Sequence, residues 1–350
     1  MKRMVTTIAL ISHLFSTGFD TYEGEAIRQG VHIEWYRTVS PGMDGEGIFV
    51  WSDTRYGMRN IFAHKVNQEG QFMWGESGAV VTNLPGRQED PVSITDGSGG
   101  VFIAWVDYRF DEQGDIFYQH LNSNGEILLD AGGIALAQAP GKQITINMCT
   151  DSSGGVFVTW QDKRGGIDDD IYGTHISASH DVIAPGSGVP IVVEGGNQNA
   201  KTIEYAGNGE AFIAWADFRD GANADIYAQR LTTSMVELFP ANGMPIAATA
   251  EQELKPRATF ISTTTSFICW KEGDESSQIL YQFVNESGTV FSDARKISDN
   301  LALQSSPRVK RSSAGDIFVN WKDLRDDPID GDQYFQKVGA SGDILWGDGV

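Results

Sequence analysis

Short apolar runs, set apart by glycine-rich turns, organise this chain from about residue 25 to its end. The stretch from Pro91 to Ala137 shows the pattern: "PVSIT", "VFIAWV" from Val101, "DIFYQHL" from Asp115, and "EILL" from Glu126 running on to "IALA". Each run has strand length, and the intervening "DGSGG", "DYRFDEQG" and "NSNG" are rich in residues that favour turns. The run "VFIAWV" is apolar at consecutive positions, which predicts a strand buried on both faces. No stretch longer than a turn carries helical spacing, so the chain is predicted to be all-β.

The pattern then repeats. Trp51, Trp105, Trp160, Trp215, Trp270 and Trp321 follow one another at intervals of 54, 55, 55, 55 and 51 residues. Gln88, Gln143, Gln198 and Gln304 each precede their tryptophan by 17 residues, Gln252 by 18 and Gln29 by 22. A third column reads "NIF" (Asn60), "DIF" (Asp115), "DIY" (Asp170), "DIY" (Asp225), "QIL" (Gln278) and "DQY" (Asp332). Six units of four antiparallel strands, each with both faces covered, predict a six-bladed β-propeller of four-stranded antiparallel blades. Stacked solenoids have shorter units, usually with helices, and fit less well. The last unit ends in "SGDILWGDGV", partway through its fourth strand. Either "EGEAIRQG" (Glu23 to Gly30) completes that blade, or the chain belongs to a longer protein.

One phrase returns almost unchanged: "GGVFIAWVDYR" from Gly99, "GGVFVTWQDKR" from Gly154 and "GEAFIAWADFR" from Gly209. Its tryptophan is expected to fill the gap between blades and to need an acceptor for its N–H. Asp and Arg follow at fixed offsets (Asp53/Arg55, Asp107/Arg109, Asp162/Arg164, Asp217/Arg219, Asp323/Arg325). The Asp is expected to accept hydrogen bonds from the following turn, and the Arg to bridge to a neighbouring blade. A motif in five of six units cannot be five active sites, so function is expected where a blade departs from the pattern. The fifth unit does so, with "WKEGD".

The chain of 350 residues is 41% apolar and 11% aromatic, enough for a packed core. Lys plus Arg number 26 against 47 Asp plus Glu, a formal charge of −21. Such a field disfavours nucleic acid and anionic lipid as partners. Cys149 and Cys269 lie in apolar runs of separate units and are expected to stay free thiols. The start "MKRMVTTIALISHLFSTG" has a basic tip and an apolar stretch, as in a bacterial signal peptide over residues 1–18. Residues 19–350 would then form one exported propeller, extracellular or at the cell surface, with no insertion into the membrane.

The repeat "GGVFIAWVDYR…GDIFYQHLNSNGEIL" resembles the blades of secreted bacterial β-propeller proteins, sialidase-like in shape and related to Asp-box proteins. The turns "NQEGQFMW" (Asn67 to Trp74), "NSNGEILL" and "GASGDILW" (Gly339 to Trp346) resemble the Asp-box turn in geometry, without its Asp. The resemblance implies export, and in many such proteins a C-terminal type IX sorting domain.

Candidate chemistry sits on the first strands, which line a propeller's channel. Arg28 and His32 in the first unit, Arg257 in the fifth and Arg308 in the sixth are expected to converge on a carboxylate or sulfate. Glu34, Tyr36, Glu204 and Tyr205 are candidates for acid, base or nucleophile. The acidic loops carrying Asp168 and Asp169, and Asp326, Asp327 and Asp330, are candidate calcium ligands, although neither has EF-hand spacing. No other cofactor is expected. His120 and His175 share a column with Lys65, Arg230 and Lys337, read as a polar position leaning toward the surface. No G-x-S-x-G, phosphate-binding loop or C-x-x-C occurs. The expected function is a binding or interaction module for glycans, other anionic ligands or a protein. A sialidase-like glycoside hydrolase and a passive segment of a surface protein are the alternatives.

Overall fold

The computed structural model describes residues 34–221, 223–291 and 293–350, with the side chains of residues 34–36 and 200 outside that description. The proposed leader (1–18), the closing segment "EGEAIRQG" and Gln29 therefore lie outside the described residues. Among the described residues there is no helix, and six antiparallel sheets follow one another along the chain. The fold is a β-propeller of such blades, and the chain divides into two compact units, Met1–Gln138 and Ala139–Val350.

The first unit holds two blades. Blade one comprises β1 (Glu34–Pro41), β2 (Gly47–Asp53), β3 (Asn60–Val66) and β4 (Ala79–Thr82), and blade two β5 (Gln88–Thr95), β6 (Val101–Asp107), β7 (Asp115–Leu121) and β8 (Ile134–Ala137). The second unit holds four. Blade three is β9 (Gln143–Thr150), β10 (Val156–Asp162), β11 (Asp170–Ile176) and β12 (Val189–Val192), and blade four β13 (Gln198–Gly207), β14 (Glu210–Asp217), β15 (Asp225–Leu231) and β16 (Met244–Ala247). Blade five is β17 (Glu253–Ser262), β18 (Thr265–Glu272) and β19 (Gln278–Asn285), edged by the short β20 (Gly288–Thr289) and β21 (Arg295–Lys296). Blade six is β22 (Gln304–Arg311), β23 (Ile317–Asp323) and β24 (Asp332–Val338), where Phe335 and Val350 exchange backbone hydrogen bonds at the fourth-strand position.

Second strands are buried along their whole length in blades one to three, as their unbroken apolar runs predict. The fourth strand of blade two is "IALA" alone. "EILL" makes only an isolated bridge, Leu121 to Ile127, because the turn "NSNG" is folded over its own asparagine: Asn122 accepts hydrogen bonds from the backbone of Asn124 and Glu126.

The tryptophans do fill the space between sheets. Trp105 packs with Ile48, Val50 and Ile61 of blade one, Trp215 with Ile171 and Ile191 of blade three, and Trp321 with Cys269 and Ile279 of blade five. Each motif Asp then receives three donors at once. Trp105 Nε1 donates to Asp107 at 2.9 Å, and the Arg109 backbone N–H to the same carboxylate at 3.0 Å. The Arg109 guanidinium closes the ion pair at 2.8 Å. The same arrangement recurs at Trp51/Asp53, Trp160/Asp162, Trp215/Asp217 and Trp321/Asp323. Burial pushes the Asp53 carboxyl up, but hydrogen bonds from Arg55 and Trp51 outweigh it and hold it below the usual carboxylate range.

The motif arginines turn inward on their own blade instead of bridging to the next. Arg109 donates to Gly132 O, Arg164 to Ser187 O and Arg219 to Asn242 O, each just before that blade's fourth strand. Each also stacks on an aromatic ring of its own third strand, as Arg219 does on Tyr227 at 4.0 Å. The reason is local. The Asp two residues back lies on the same strand face and captures the guanidinium before it can reach outward. Among the described residues, Arg325 is the one motif arginine with a further bond beyond its own blade, to Ser298.

A fourth repeated column carries basic side chains, buried at Lys65, His120, His175 and Arg230 and half-buried at Lys337, which corrects the reading of His120 and His175 as leaning toward the surface. His120 pairs with Asp96 at 3.0 Å, His175 with Asp151 at 2.9 Å, Lys65 with Glu46 at 3.0 Å, Arg230 with Glu210 at 2.7 Å and Lys337 with Asp316 at 2.9 Å. Each pair ties a third strand to the turn joining the first two strands, or to the residue flanking it. Both cysteines are buried free thiols, as expected.

The glycine before the fourth strand answers to the tryptophan. At Gly133 φ is +70°, and a Cβ there would lie 2.6 Å from the Trp105 ring and 2.5 Å from Tyr118 O. Gly133→Ala is expected to cost about 2 kcal/mol or more, through both the left-handed backbone and the displaced ring. Asp217→Ala, which strands the Trp215 N–H and the Arg219 guanidinium, is expected to cost about 3 kcal/mol. Denaturant unfolding checks both.

Candidate functional site

Within the second unit the first strands β9, β13, β17 and β22 lie side by side in that order. β13, β17 and β22 each carry a break in register against their second strand, between Asn199 and Thr202, Leu254 and Arg257, and Ser305 and Arg308. Lys255 and Ser306 sit at these bulges with φ of +57° and +54°, conformations that L residues seldom adopt. A bulge re-aims the side chains that follow it. Beyond it, Ile203, Ala258 and Val309 enter the core, so alternation places Glu204, Arg257, Arg308 and Lys310 on the opposite face.

Arg257 and Arg308 occupy equivalent places on the neighbouring first strands β17 and β22, near enough for their charges to repel. Burial and the neighbouring Arg308 charge together hold the Arg257 guanidinium below its ordinary range. Each arginine donates to the carbonyl of the proline before it, Arg257 to Pro256 O at 2.7 Å and Arg308 to Pro307 O at 3.0 Å. Neither forms an ion pair among the described residues, although acids outnumber bases almost two to one in this chain. Planar guanidinium groups without a carboxylate partner have the chemistry to pair with carboxylate or sulfate oxygens. Lys255 Nζ reaches Ser306 Oγ at 3.5 Å, adding a third cation at the bulge.

Glu204 lies opposite Lys310, 3.9 Å away, so a carboxylate of blade four faces an amine of blade six. Burial pushes the Glu204 carboxyl up, against the pull of Lys310. Tyr205, next along β13, points to the other face and packs on Phe260 with ring centroids 5.6 Å apart. Adjacent strand residues cannot share a face, so Glu204 and Tyr205 do not form one pair of reacting groups. Arg28 and His32 lie outside the described residues. Glu34 and Tyr36 belong to β1, but their side chains do too. Lys255 and Lys310 were not singled out from the sequence, although Ser306, Arg308 and Lys310 show the two-residue alternation of a strand with one polar face.

The acidic loops are already engaged. Asp168 accepts from the Gly196 N–H at 3.2 Å, and Asp169 lies 3.6 Å from Lys163. Asp327 accepts from the N–H groups of Ile329 and Asp330, and Asp326 accepts from the Tyr334 hydroxyl. Among the described residues no three His, Cys, Asp or Glu side chains assemble into a group that could hold a metal.

No family model matches the chain, and no curated protein matches it in sequence. Solved structures do. A polysaccharide lyase of family PL25, an ulvan lyase, aligns at TM-score 0.53 and 10% identity over 85% of this chain and 79% of its own. A Dyadobacter fermentans protein of unknown function aligns at TM-score 0.46 and 11% identity, over 89% and 95% of the two chains. An α-L-arabinofuranosidase of family GH93 from Fusarium graminearum aligns at 0.45 and 10%, over 88% and 93%. At such identities the likeness is one of fold. No helix among the described residues is long and apolar enough to cross a membrane.

The buried carboxyls set an expected pH profile. Burial, with neighbouring carboxylates adding to it, pushes Asp115 and Asp170 up to about 6. Between their unfolded value and about 6 the folded state holds the extra protons, so stability falls as pH rises through that window. Asp53, Asp151 and Asp323, held below the usual range by hydrogen bonds that outweigh burial, lose their contribution as pH falls below it. The melting temperature is therefore expected to peak at about pH 4–5 and to decline on both sides, as a calorimetric series would show.

Proposed function

We propose that this protein binds anionic glycans through the open face of β13, β17 and β22, with Arg257 and Arg308 holding carboxylate or sulfate groups. One observation carries the reading: two neighbouring arginines, half-buried and exposed, form no ion pair among the described residues of a chain with a formal charge of −21. Burial and mutual repulsion both work against Arg257 beside Arg308, and a bound anion would relieve both. The ulvan lyase of like fold, solved with -[GlcA(1-4)Rha3S]- bound, supports a ligand that combines a uronic acid with a sulfated sugar.

Binding is favoured over hydrolysis by the carboxylate count. Cleavage of a glycosidic bond by the usual mechanism takes two carboxyl groups flanking the bond. Among the described residues of the three strands, Glu204 is the only carboxylate on this face. The signal-like leader and acidic surface support an exported, cell-surface module that meets polysaccharide outside the cell.

The Arg257→Ala/Arg308→Ala double variant is expected to bind ulvan or another sulfated uronate polysaccharide at least about tenfold more weakly by calorimetry, and neutral arabinan no differently. Unchanged polysaccharide binding would overturn the reading. Glu204→Gln, which removes the negative charge on the same face, is expected to strengthen binding about two- to fivefold at low salt and to lose that gain as salt is raised.

A further inference from the structure

Blade five keeps the third-strand glutamine clamp of its neighbours, with Gln282 donating to Phe291 O at 3.1 Å, but lacks their charged clamps. The Asp–Arg pair is replaced by Glu272 and Gly273–Asp274, and the buried base of the third strand by Phe283, which packs on Phe267 and Phe291. The glutamine column changes too. In four blades a fully buried Gln opens the first strand and its amide grips the preceding turn, and in three of them, at Gln88, Gln198 and Gln304, its backbone N–H also bonds to the blade before. Gln198, for example, donates from its backbone to Asp169 O at 2.6 Å and from Nε2 to Gly196 O at 3.0 Å. In blade five this place belongs to Glu253 and not to Gln252, since the Glu253 N–H donates to Ala224 O at 2.8 Å.

A carboxylate cannot do what the amide does. Glu253 is fully buried, and its Oε1 accepts from the Thr249 hydroxyl. No donor reaches its Oε2, and the Trp270 Nε1 N–H, which meets Asp in the other blades, is buried without a partner. Asp225 on β15, 8% exposed, directly follows the Ala224 whose carbonyl meets the Glu253 N–H, and its charge acts on the Glu253 carboxyl. Two buried neighbouring carboxyl groups repel each other when both are ionised, and a single proton held between them relieves that repulsion. We propose that Glu253 and Asp225 share one proton in the folded protein, and that its loss loosens the joint between blades four and five, making this joint a pH-sensitive element.

The surroundings keep the proton in place. Asp225 is flanked by Asp217 and Asp220, with Arg219 as its cation. Glu272 stands across the strand pair from Glu253, with Glu251 and Lys296 acting on it. Burial pushes Glu253 up to about 7 despite the Thr249 hydrogen bond, with Asp225 and Glu272 adding to the rise. An acid raised in the folded state favours folding while it is protonated, so stability is lost as pH climbs from its unfolded value through about 7. The inference is independent of the glycan reading and touches neither arginine.

Melting temperatures of the wild type and Glu253→Gln, compared at about pH 5 and about pH 8.5, test it directly, because Gln imitates the protonated acid at every pH. The two proteins are expected to agree within about 1 °C at the acidic value, and the variant to melt about 3 °C or more higher at the alkaline one. A gap of equal size at both values, or none at either, overturns the proposal. Should the variant not fold, hydrogen exchange of the wild type decides. Protection at residues 249–254, corrected for the intrinsic pH dependence of exchange, is expected to fall several-fold more than at residues 194–199 as pH rises. Equal changes at the two joints overturn it.

Discussion

Everything in these blades depends on how a buried tryptophan N–H is satisfied. Packing a ring of that size between sheets supplies apolar area, but its one polar atom must find an acceptor in a dry place. The carboxylate two residues on is the nearest group on the same strand face, and it would be intolerable there without positive partners. Hence the arginine, which neutralises the Asp, stacks on a third-strand ring and ties down the turn before the fourth strand. One hydrogen bond thus draws in a charge, a cation and an aromatic platform. The glycine beneath the ring completes the set.

Blade five shows what happens when that chain of requirements is cut. Without the Asp–Arg pair the indole N–H is left bare, and the blade leans on aromatic packing around Phe267, Tyr281, Phe283 and Phe291 instead. Its edge is rebuilt from two short strands, β20 and β21. The same blade contributes Arg257 to the proposed anion-binding face and Glu253 to the joint with blade four. In a repeat protein the shared residues are occupied in holding blades together, so distinct behaviour falls to the unit released from the pattern.

The propeller was legible in the sequence because its signals are local and repeated. Strand length, turn chemistry and a recurring Trp–x–Asp–x–Arg need no knowledge of distant contacts. The glutamine column was right in four blades; register gives the place to Glu253 and not Gln252 in blade five, and to Glu34 opposite Asp53 in blade one, while Gln29 lies outside the described residues. Other readings failed where the answer lay across strands. His120 and His175 looked superficial because their partners, Asp96 and Asp151, sit 24 residues away in sequence. The motif arginines looked free to reach outward because nothing in the linear order reveals the ring of Tyr172 or Tyr227 waiting on the third strand.

What the sequence determined by itself was the blade: four strands, their turns, which faces are buried and where each tryptophan falls, all set by periodicity and the chemistry of neighbouring residues. Tertiary structure alone decided which charges meet. Arg257 and Arg308 stand 51 residues apart in the chain, and Glu204 and Lys310 stand 106 apart, yet each pair shares one face. Electrostatic interactions act through space and are governed by burial, whereas secondary structure is governed by the backbone. A charge's partner is therefore settled only when the sheets have packed.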